Sequence, residues 1–562
     1  MRSTVTTETS HLSFDLVTRP WLPVQYRDGS QSELSLLEVF EQAPRLRRLV
    51  GDVPTQEFAL VRLLLAVLHD AIDGPEDSDE WSELWTEAEE EQELPVDRIA
   101  DYLEQHRDRF DLLHPTTPFF QVADLHTAKN EIFSLDRIVA DVPNGAPFFT
   151  MRARGVDRIG FAEAARWVVH AHAYDVSGIK SGAVGDPRVK GGKGYPQGVG
   201  WAGNLGGILV DGTNLYETLL LNLVAFDTDN LRVTPDDRPA WRHTPTTAAP
   251  TDAKELAGRP QGLRDLYTWQ SRRIRLHYDA GGVYGALLTY GDPLPARNMH
   301  NREPMTSWRR SPAQEKKLGL AQVYLPREHD PARSAWRGLG ALVTGQVHGA
   351  EQRGEAATVV RPRILDWVAR LVNEEFLPKD YLIRARLIGA FYGTQQSVID
   401  EIVDDQVAMA VVLLHERDSG LGHTAVRAVE DAEAAVTVLG NLATALAEAA
   451  GAEPETPRAT ARDLGFGALD GPFRAWLSTL TPGVDAAERR SAWQQQTHRI
   501  ISGLGRQLVH EAGEAAWTGR VVEIKSGNSV WLNASHADLR FRTELKKRLS
   551  MSSTEQTGEA AA

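Results

Sequence analysis

At 562 residues, with 42% apolar and 25% charged side chains, the chain has the composition of ordinary globular protein and more length than one core usually serves, so two to four domains are expected. The absence of cysteine excludes disulfides, thiolate metal sites, iron–sulfur clusters and cysteine nucleophiles together. A net charge of −16 speaks against a free-standing nucleic-acid binder, which usually carries a basic balance.

Met1–Ser10 is polar and lacks the apolar stretch of a secretory signal. Phe14–Val17 and Trp21–Tyr26 read as extended segments punctuated by Pro20 and Pro23, with Asp28-Gly29 as a turn. Ser35–Gln42 predicts a short helix. Thr55–Ile72 predicts a stronger one, because Phe58, Val61, Leu64, Leu65 and Leu68 recur at helical spacing. Phe58–Ile72 is also the longest apolar stretch, but Arg62, His69 and Asp70 interrupt it, so it is too short and too charged to span a bilayer. A cytoplasmic protein with no membrane contact is expected. Asp97–Arg107 and Phe161–His172 predict further helices.

Asp175–Gly212 holds twelve glycines. So many permissive residues disfavour a regular element, and a long loop is expected, either a linker or a binding loop. Tyr216–Val224 returns to helix, and Trp269–Tyr278 and Val283–Tyr290 read as strands about Gly281-Gly282. After Ser397 the pattern turns almost wholly helical, over Ile399–Leu414, Ala425–Ala450, Pro472–Leu480 and Ala486–Trp517. In the last of these Trp493, Thr497, Ile500, Ile501, Leu504, Leu508 and Ala512 trace one face. The fold class expected is therefore α+β: a large mixed α/β domain over residues 11–397, then a C-terminal four-helix bundle over 398–550. Residues 1–10 and 551–562 are expected to be disordered.

Charge is unevenly spread. Glu76–Glu93 and Glu448–Glu455 are acidic, whereas Lys180–Lys193, Arg272, Arg273 and Arg275, Arg309–Lys317 and Lys546–Arg548 are basic. Each run taken alone reads as a solvated face.

Catalytic chemistry finds little footing. His69-Asp70 and His329-Asp330 are the dipeptide of HD-type phosphohydrolases, a pairing expected by chance among 17 histidines. His170 and His172 stand two apart on a predicted helix and so point away from each other. Gly192-Lys193-Gly194 lacks the spacing and hydroxyl of a phosphate-binding loop, and neither a nucleophile elbow nor H-E-x-x-H occurs.

Three segments resemble one family, the large subunit (CasA) of the type I-E CRISPR Cascade complex. Leu16–Val24 is similar to its opening W-[IL]-P-V strand, His114–Gln121 to its H-x-x-x-P-F-x-Q segment, and Tyr392–Ile399 to a loop carrying paired amides. The resemblance implies a non-catalytic, DNA- and RNA-binding subunit that recognises the protospacer-adjacent motif in double-stranded target DNA, helps open the strands and recruits a helicase–nuclease. The implied partners are other Cascade subunits, guide crRNA, target DNA and that effector, with no cofactor. Laid on the family's loops, Gly191, Lys193 and Gly194 fall at its motif-contacting positions, with Asn144, Gly145 and Ala146 as a second motif-facing turn. Gln396 takes the strand-separating wedge, flanked by Gln395 and Ser397, and Phe149, Thr150 and Met151 resemble residues touching the guide's 5′ end. The family's lysine finger follows the strand that here runs Val283–Tyr290. This sequence has no lysine between Lys254 and Lys316, and Arg297 or Arg302 is the implied substitute. Asp279-Ala280-Gly281-Gly282 stands where some members carry a metal knuckle, so no metal is expected. The alternatives are an HD-type metal-dependent phosphohydrolase or nuclease, and a helical scaffold that binds protein only.

Overall fold

The structure is a computed structural model and describes residues 12–140, 156–343, 357–414, 419–523 and 529–549. Its contacts divide into two units: Met1–Arg333 with Gly345–Phe376 and Arg384–Gln406, and Ser334–Thr344 with Leu377–Ile383 and Val407–Ala562. The fold class is α+β, a mixed unit and a helical C-terminal one, as expected.

In the mixed unit the first apolar residues are a turn rather than a strand. The Asp15 carboxylate accepts from the Val17 N–H (2.9 Å) and the Thr18 hydroxyl (2.7 Å), which curls Phe14–Val17 back on itself. Strand β1 (Leu22–Tyr26) follows as expected and pairs antiparallel with β2 (Gln31–Leu34) and β3 (Leu46–Leu49). Helix α1 (Leu36–Glu41) is held by a capping box: the Ser35 hydroxyl accepts from the Glu38 N–H and the Glu38 carboxylate accepts from the Ser35 N–H. Helix α2 (Pro54–Ile72) is buried almost all round, and its polar residues are matched by internal partners. Arg62 meets Glu303 at 2.9 Å through both guanidinium nitrogens. Helix α3 (Phe161–Tyr174) lies against α2.

The glycine-rich stretch is more regular than its composition suggests. It contains a short ladder of β4 (Lys180–Ser181) with β5 (Lys193–Gly194), and a buried strand β6 (Gly207–Asp211). Gly207 is there for close approach, not flexibility: a Cβ would stand 2.7 Å from the Ile388 carbonyl oxygen and 2.9 Å from the Phe58 ring. Strands β7 (Arg272–Asp279) and β8 (Gly282–Tyr290) form the expected hairpin. β9 (Trp308–Arg310) pairs with β10 (Tyr324–Pro326) and β11 (Val359–Val360). β6 pairs antiparallel with β12 (Leu382–Tyr392), whose other edge carries β13 (Ile399–Ala410).

β13 corrects the helix expected over Ile399–Leu414. Ile399, Ile402, Val403 and Val407 are spaced like one helical face, yet all four are β-branched and favour a pleated surface. The sheet edge settles the choice, because Asp404 of β13 accepts from Arg386 of β12 at 2.7 and 2.8 Å.

The second unit packs four long helices, α4 (Ser419–Ala450), α5 (Glu455–Leu477), α6 (Ala486–His510) and α7 (Ala534–Arg548). α6 buries Trp493, Thr497, Ile501 and Gly505 at four-residue steps. Gly505 has a reason: a Cβ would come within 2.2 Å of the Phe541 ring on α7. Trp493 meets Phe473 edge-on, with ring centroids 5.1 Å apart. α5 begins well before Pro472, where the helix was expected to start; Gly465 within it lets α4 approach, since a Cβ would lie 3.0 Å from Val436. The helix expected to run to Trp517 ends at His510 instead, and a hairpin of β14 (Arg520–Glu523) and β15 (Ser529–Leu532) precedes α7. No helix among the described residues is long and apolar enough to cross a membrane.

Candidate nucleic-acid interface

A strap of chain leaves α3 at Tyr174 and reaches β4 at Lys180, and its polar groups are tied down nearly one by one. The buried Asp175 carboxylate pairs with Lys180 Nζ at 2.6 Å and with Arg272. Burial works against the charged form of Asp175, but these two cations outweigh it and hold the carboxyl below its ordinary range. Arg272 also donates to the carbonyls of Asp175 (2.9 Å) and Gly198 (2.9 Å). Gly178 exchanges two hydrogen bonds with the Tyr290 hydroxyl, its N–H donating at 3.0 Å and its carbonyl accepting at 2.6 Å. The basic run Lys180–Lys193 is therefore not one solvated face. Lys180 is an internal ion-pair partner, as are Arg272 and Arg273, the last with Asp292 at 3.0 Å.

Beyond the ladder the chain turns back through Lys190-Gly191-Gly192-Lys193. Lys190 and Lys193 exchange backbone hydrogen bonds (3.0 and 3.2 Å), and Gly191 and Gly192 sit at φ +59° and +73°. Two left-handed residues in a row make a type I′ turn, which glycine takes without strain. Nothing lies within 4 Å of where a Cβ would stand on either glycine. Their N–H groups bond no other group among the described residues, while the Gly192 carbonyl accepts from the Gly182 N–H at 2.9 Å. The result is an open edge of bare, unsatisfied donors flanked by the exposed ammonium groups of Lys190 and Lys193. Gly194 is not on that edge. It is buried, with the Tyr290 ring 3.4 Å from its Cβ position.

The paired-amide loop joins β12 to β13. Gly393 opens it because the Asp400 carboxylate leaves no room for a Cβ (2.4 Å). Gln395 and Gln396 follow at φ +58° and +55°, a conformation L residues adopt only when the surroundings impose it. Here the Gln396 N–H donates to the Gly393 carbonyl (2.9 Å), and the Ser397 hydroxyl to that of Thr394 (2.9 Å). Gln395 and Ser397 are exposed and Gln396 half-buried; neither glutamine amide bonds another group among the described residues. The Ser177 N–H of the strap donates to the Gln396 carbonyl at 2.7 Å, and the Tyr392 hydroxyl donates to the Tyr174 carbonyl at 2.7 Å. The glycine turn and the amide loop, distant in sequence, are thus both tied to one short strap, the loop through Ser177 and the turn through the ladder that begins at Lys180.

The other expected site residues are placed differently. Arg297 is exposed. Arg302 is half-buried and donates to the Pro260 carbonyl at 3.1 Å, with burial lowering its pKa. Asn144, Gly145, Ala146, Phe149, Thr150 and Met151 lie outside the described residues. The residues of the HD reading are engaged apart from one another. His69 is fully buried, its Nδ1 2.8 Å from the Gly74 carbonyl and its ring stacked on Phe226. Asp70 instead takes the Tyr102 hydroxyl (2.5 Å) and Arg242 (2.8 Å). His170 contacts the Thr55 hydroxyl, and His172 the Phe120 carbonyl. Among the described residues no three histidines or carboxylates gather as a metal would need.

These histidines give the mixed unit an acid limit. Burial pushes His69 and His170 down to about 3 and His172 to about 4. The unfolded chain then binds more protons than the folded one from about pH 6.5 downward, so stability falls as pH falls through that window. Urea unfolding is expected at a lower midpoint at about pH 5.5 than at about pH 7.5, each histidine contributing on the order of 1 kcal/mol per pH unit. Equal midpoints would contradict it.

Sequence reading passed over Gly192, Ser177, Tyr290 and Tyr392. Gly192 had a usable signal, since two glycines between lysines that end β-capable segments match a two-residue hairpin turn. The other three act through a backbone amide or through hydroxyls reaching backbone over long sequence separation, which no local pattern encodes.

The family described as CRISPR-associated protein Cse1 matches residues 15–504 of the chain. A curated CRISPR-associated protein CasA/Cse1 from Thermus thermophilus is 29% identical over 345 residues, spanning 59% of this chain and 61% of that relative. The crystal structure of Thermobifida fusca Cse1 is 79% identical and superposes with a TM-score of 0.89, covering 96% of this chain and 99% of that one. A chain of a CRISPR RNA-guided surveillance complex, 17% identical, shares the fold with a TM-score of 0.66 over 95% of this chain and 99% of its own.

Proposed function

This chain belongs to the CRISPR-associated Cse1 family, and from that footing we propose that it is the non-catalytic large subunit of a type I-E surveillance complex, where it reads a short motif in duplex DNA beside the target and starts strand opening. The motif is met by the Gly191–Gly192 turn. The minor groove offers mostly acceptors on its floor and is too narrow for most side chains, so exposed backbone N–H groups without a Cβ suit it. Lys190 and Lys193 on either side meet phosphates, which position a protein without reading sequence. Gln396, flanked by Gln395 and Ser397, enters the neighbouring base step, where an amide replaces pairing hydrogen bonds as the stack parts. Base pairing with guide crRNA then reads the rest of the target. A subunit with net charge −16 works in this way inside a ribonucleoprotein whose other subunits supply basic surface. Recruitment of a helicase–nuclease to the opened target completes the proposed role.

The observation that carries the reading is that one strap holds both the strained paired-amide loop, through Ser177 N–H to the Gln396 carbonyl, and the ladder that leads to the open backbone donors. The test is retention of target duplex by the reconstituted complex carrying Gly191→Val. At φ +59° valine is both strained and bulky, and affinity for motif-bearing duplex is expected to fall at least about tenfold, the scale of one lost base contact. Affinity for a fully single-stranded target should stay unchanged. Duplex binding at the unaltered level would remove the turn from the mechanism.

A further inference from the structure

We infer that Tyr290 is a positioning residue that couples motif reading to strand opening; the inference rests on the function proposed above and assigns a role to a side chain that meets neither the motif nor the wedge. Tyr290 is the last residue of β8 and is 2% exposed. Its hydroxyl both accepts from and donates to Gly178, at 3.0 and 2.6 Å. Its ring has Lys180 Nζ 5.5 Å and the Arg272 guanidinium carbon 5.0 Å from the centroid, within cation–π range. The same ring closes over Gly194 at the base of the glycine hairpin.

Gly178 occupies the middle of the strap. One residue before it, the Ser177 N–H holds the Gln396 carbonyl. Two residues after it, Lys180 begins the ladder whose other strand leads back to Lys193 and the open turn. The strap is short, and its reach is bounded at about 3.6 Å per residue. Its reference point is the β7–β8 hairpin, where Arg272 is the direct cross-strand partner of Tyr290 and holds Asp175. With Gly178 clamped to Tyr290, displacement by a bound motif of the glycine hairpin, whose base rests on the same ring, passes through Ser177 to the Gln396 backbone. With the clamp released, the strap absorbs it.

Tyr290→Phe removes both hydrogen bonds and keeps the ring under its two cations. In the reconstituted complex, affinity would be measured for a fully paired motif-bearing target and for the same target with a pre-opened bubble beside the motif. Paired-target affinity is expected to fall roughly tenfold, the effect of losing one or two net hydrogen bonds, while pre-opened affinity stays within about twofold. Tyr392→Phe, which releases the strap from β12 at Tyr174, should show the same split and stands in if the first variant does not assemble. Parallel loss on both targets means Tyr290 is only structural and overturns the inference, as does no loss on either. Gln396→Ala run alongside separates the two claims: if it leaves paired-target binding intact, the wedge reading itself has failed.

Discussion

Arg386→Met is expected to destabilise the mixed unit by about 3–5 kcal/mol, the range for breaking a buried ion network from one side. Arg386 is 5% exposed at the centre of β12. One side of its guanidinium meets Glu57 of α2 at 2.5 and 3.0 Å, and another meets Asp404 of β13 at 2.7 and 2.8 Å. The network therefore staples the sheet that carries the amide loop to the most buried helix. Burial already raises the Glu57 pKa in spite of Arg386, so without the guanidinium this carboxylate must take up a proton to stay inside. A buried carboxyl whose folded pKa is raised favours folding at lower pH, so the loss should shrink between neutral and mildly acidic pH, read against Glu57→Gln/Arg386→Met to cancel the histidine effect. In urea unfolding near neutral pH that double variant should lose less than Arg386→Met alone, because no charge is left buried without a partner at Glu57. An Arg386→Met protein as stable as the unaltered one would show that the network contributes nothing net.

The elements that could be read in the sequence are those whose residues serve one local pattern. α2 announces itself because its core contacts repeat at helical spacing, and the β7–β8 hairpin because β-branched and aromatic runs flank Gly281-Gly282. β13 was misread because the same spacing of apolar residues fits a helix, and only its edge-on pairing with β12 decides otherwise. Glycine serves opposite purposes that composition does not tell apart. Gly207 and Gly465 permit close packing inside regular elements, whereas Gly191 and Gly192 supply a turn. Basic residues were the least legible, since nothing in a run of lysines and arginines tells Lys180, Arg272 and Arg273, each buried beside a carboxylate, from Lys190 and Lys193, which meet solvent. The motifs name the residues of the candidate site, but the strap that joins its halves depends on partners tens to hundreds of residues apart.

Gln396→Ala and Gln396→Gly together should separate what the backbone of the proposed wedge does from what its side chain does. At φ +55° a residue with a Cβ costs roughly 1 kcal/mol more than glycine. Glycine there is expected to raise stability by up to about 1 kcal/mol, while alanine, which keeps the Cβ, leaves it nearly unchanged. Both lose the amide, and unstacking a base step without it leaves a few kcal/mol uncompensated. Strand opening beside the motif, followed by fluorescence of a base analogue in the first target pair, is therefore expected to slow about a hundredfold in both variants, at 1.4 kcal/mol per factor of ten. If alanine opened duplex normally and glycine did not, the strained backbone rather than the amide would be the agent. If both opened it normally, the force that parts the strands would have to come from another part of the molecule.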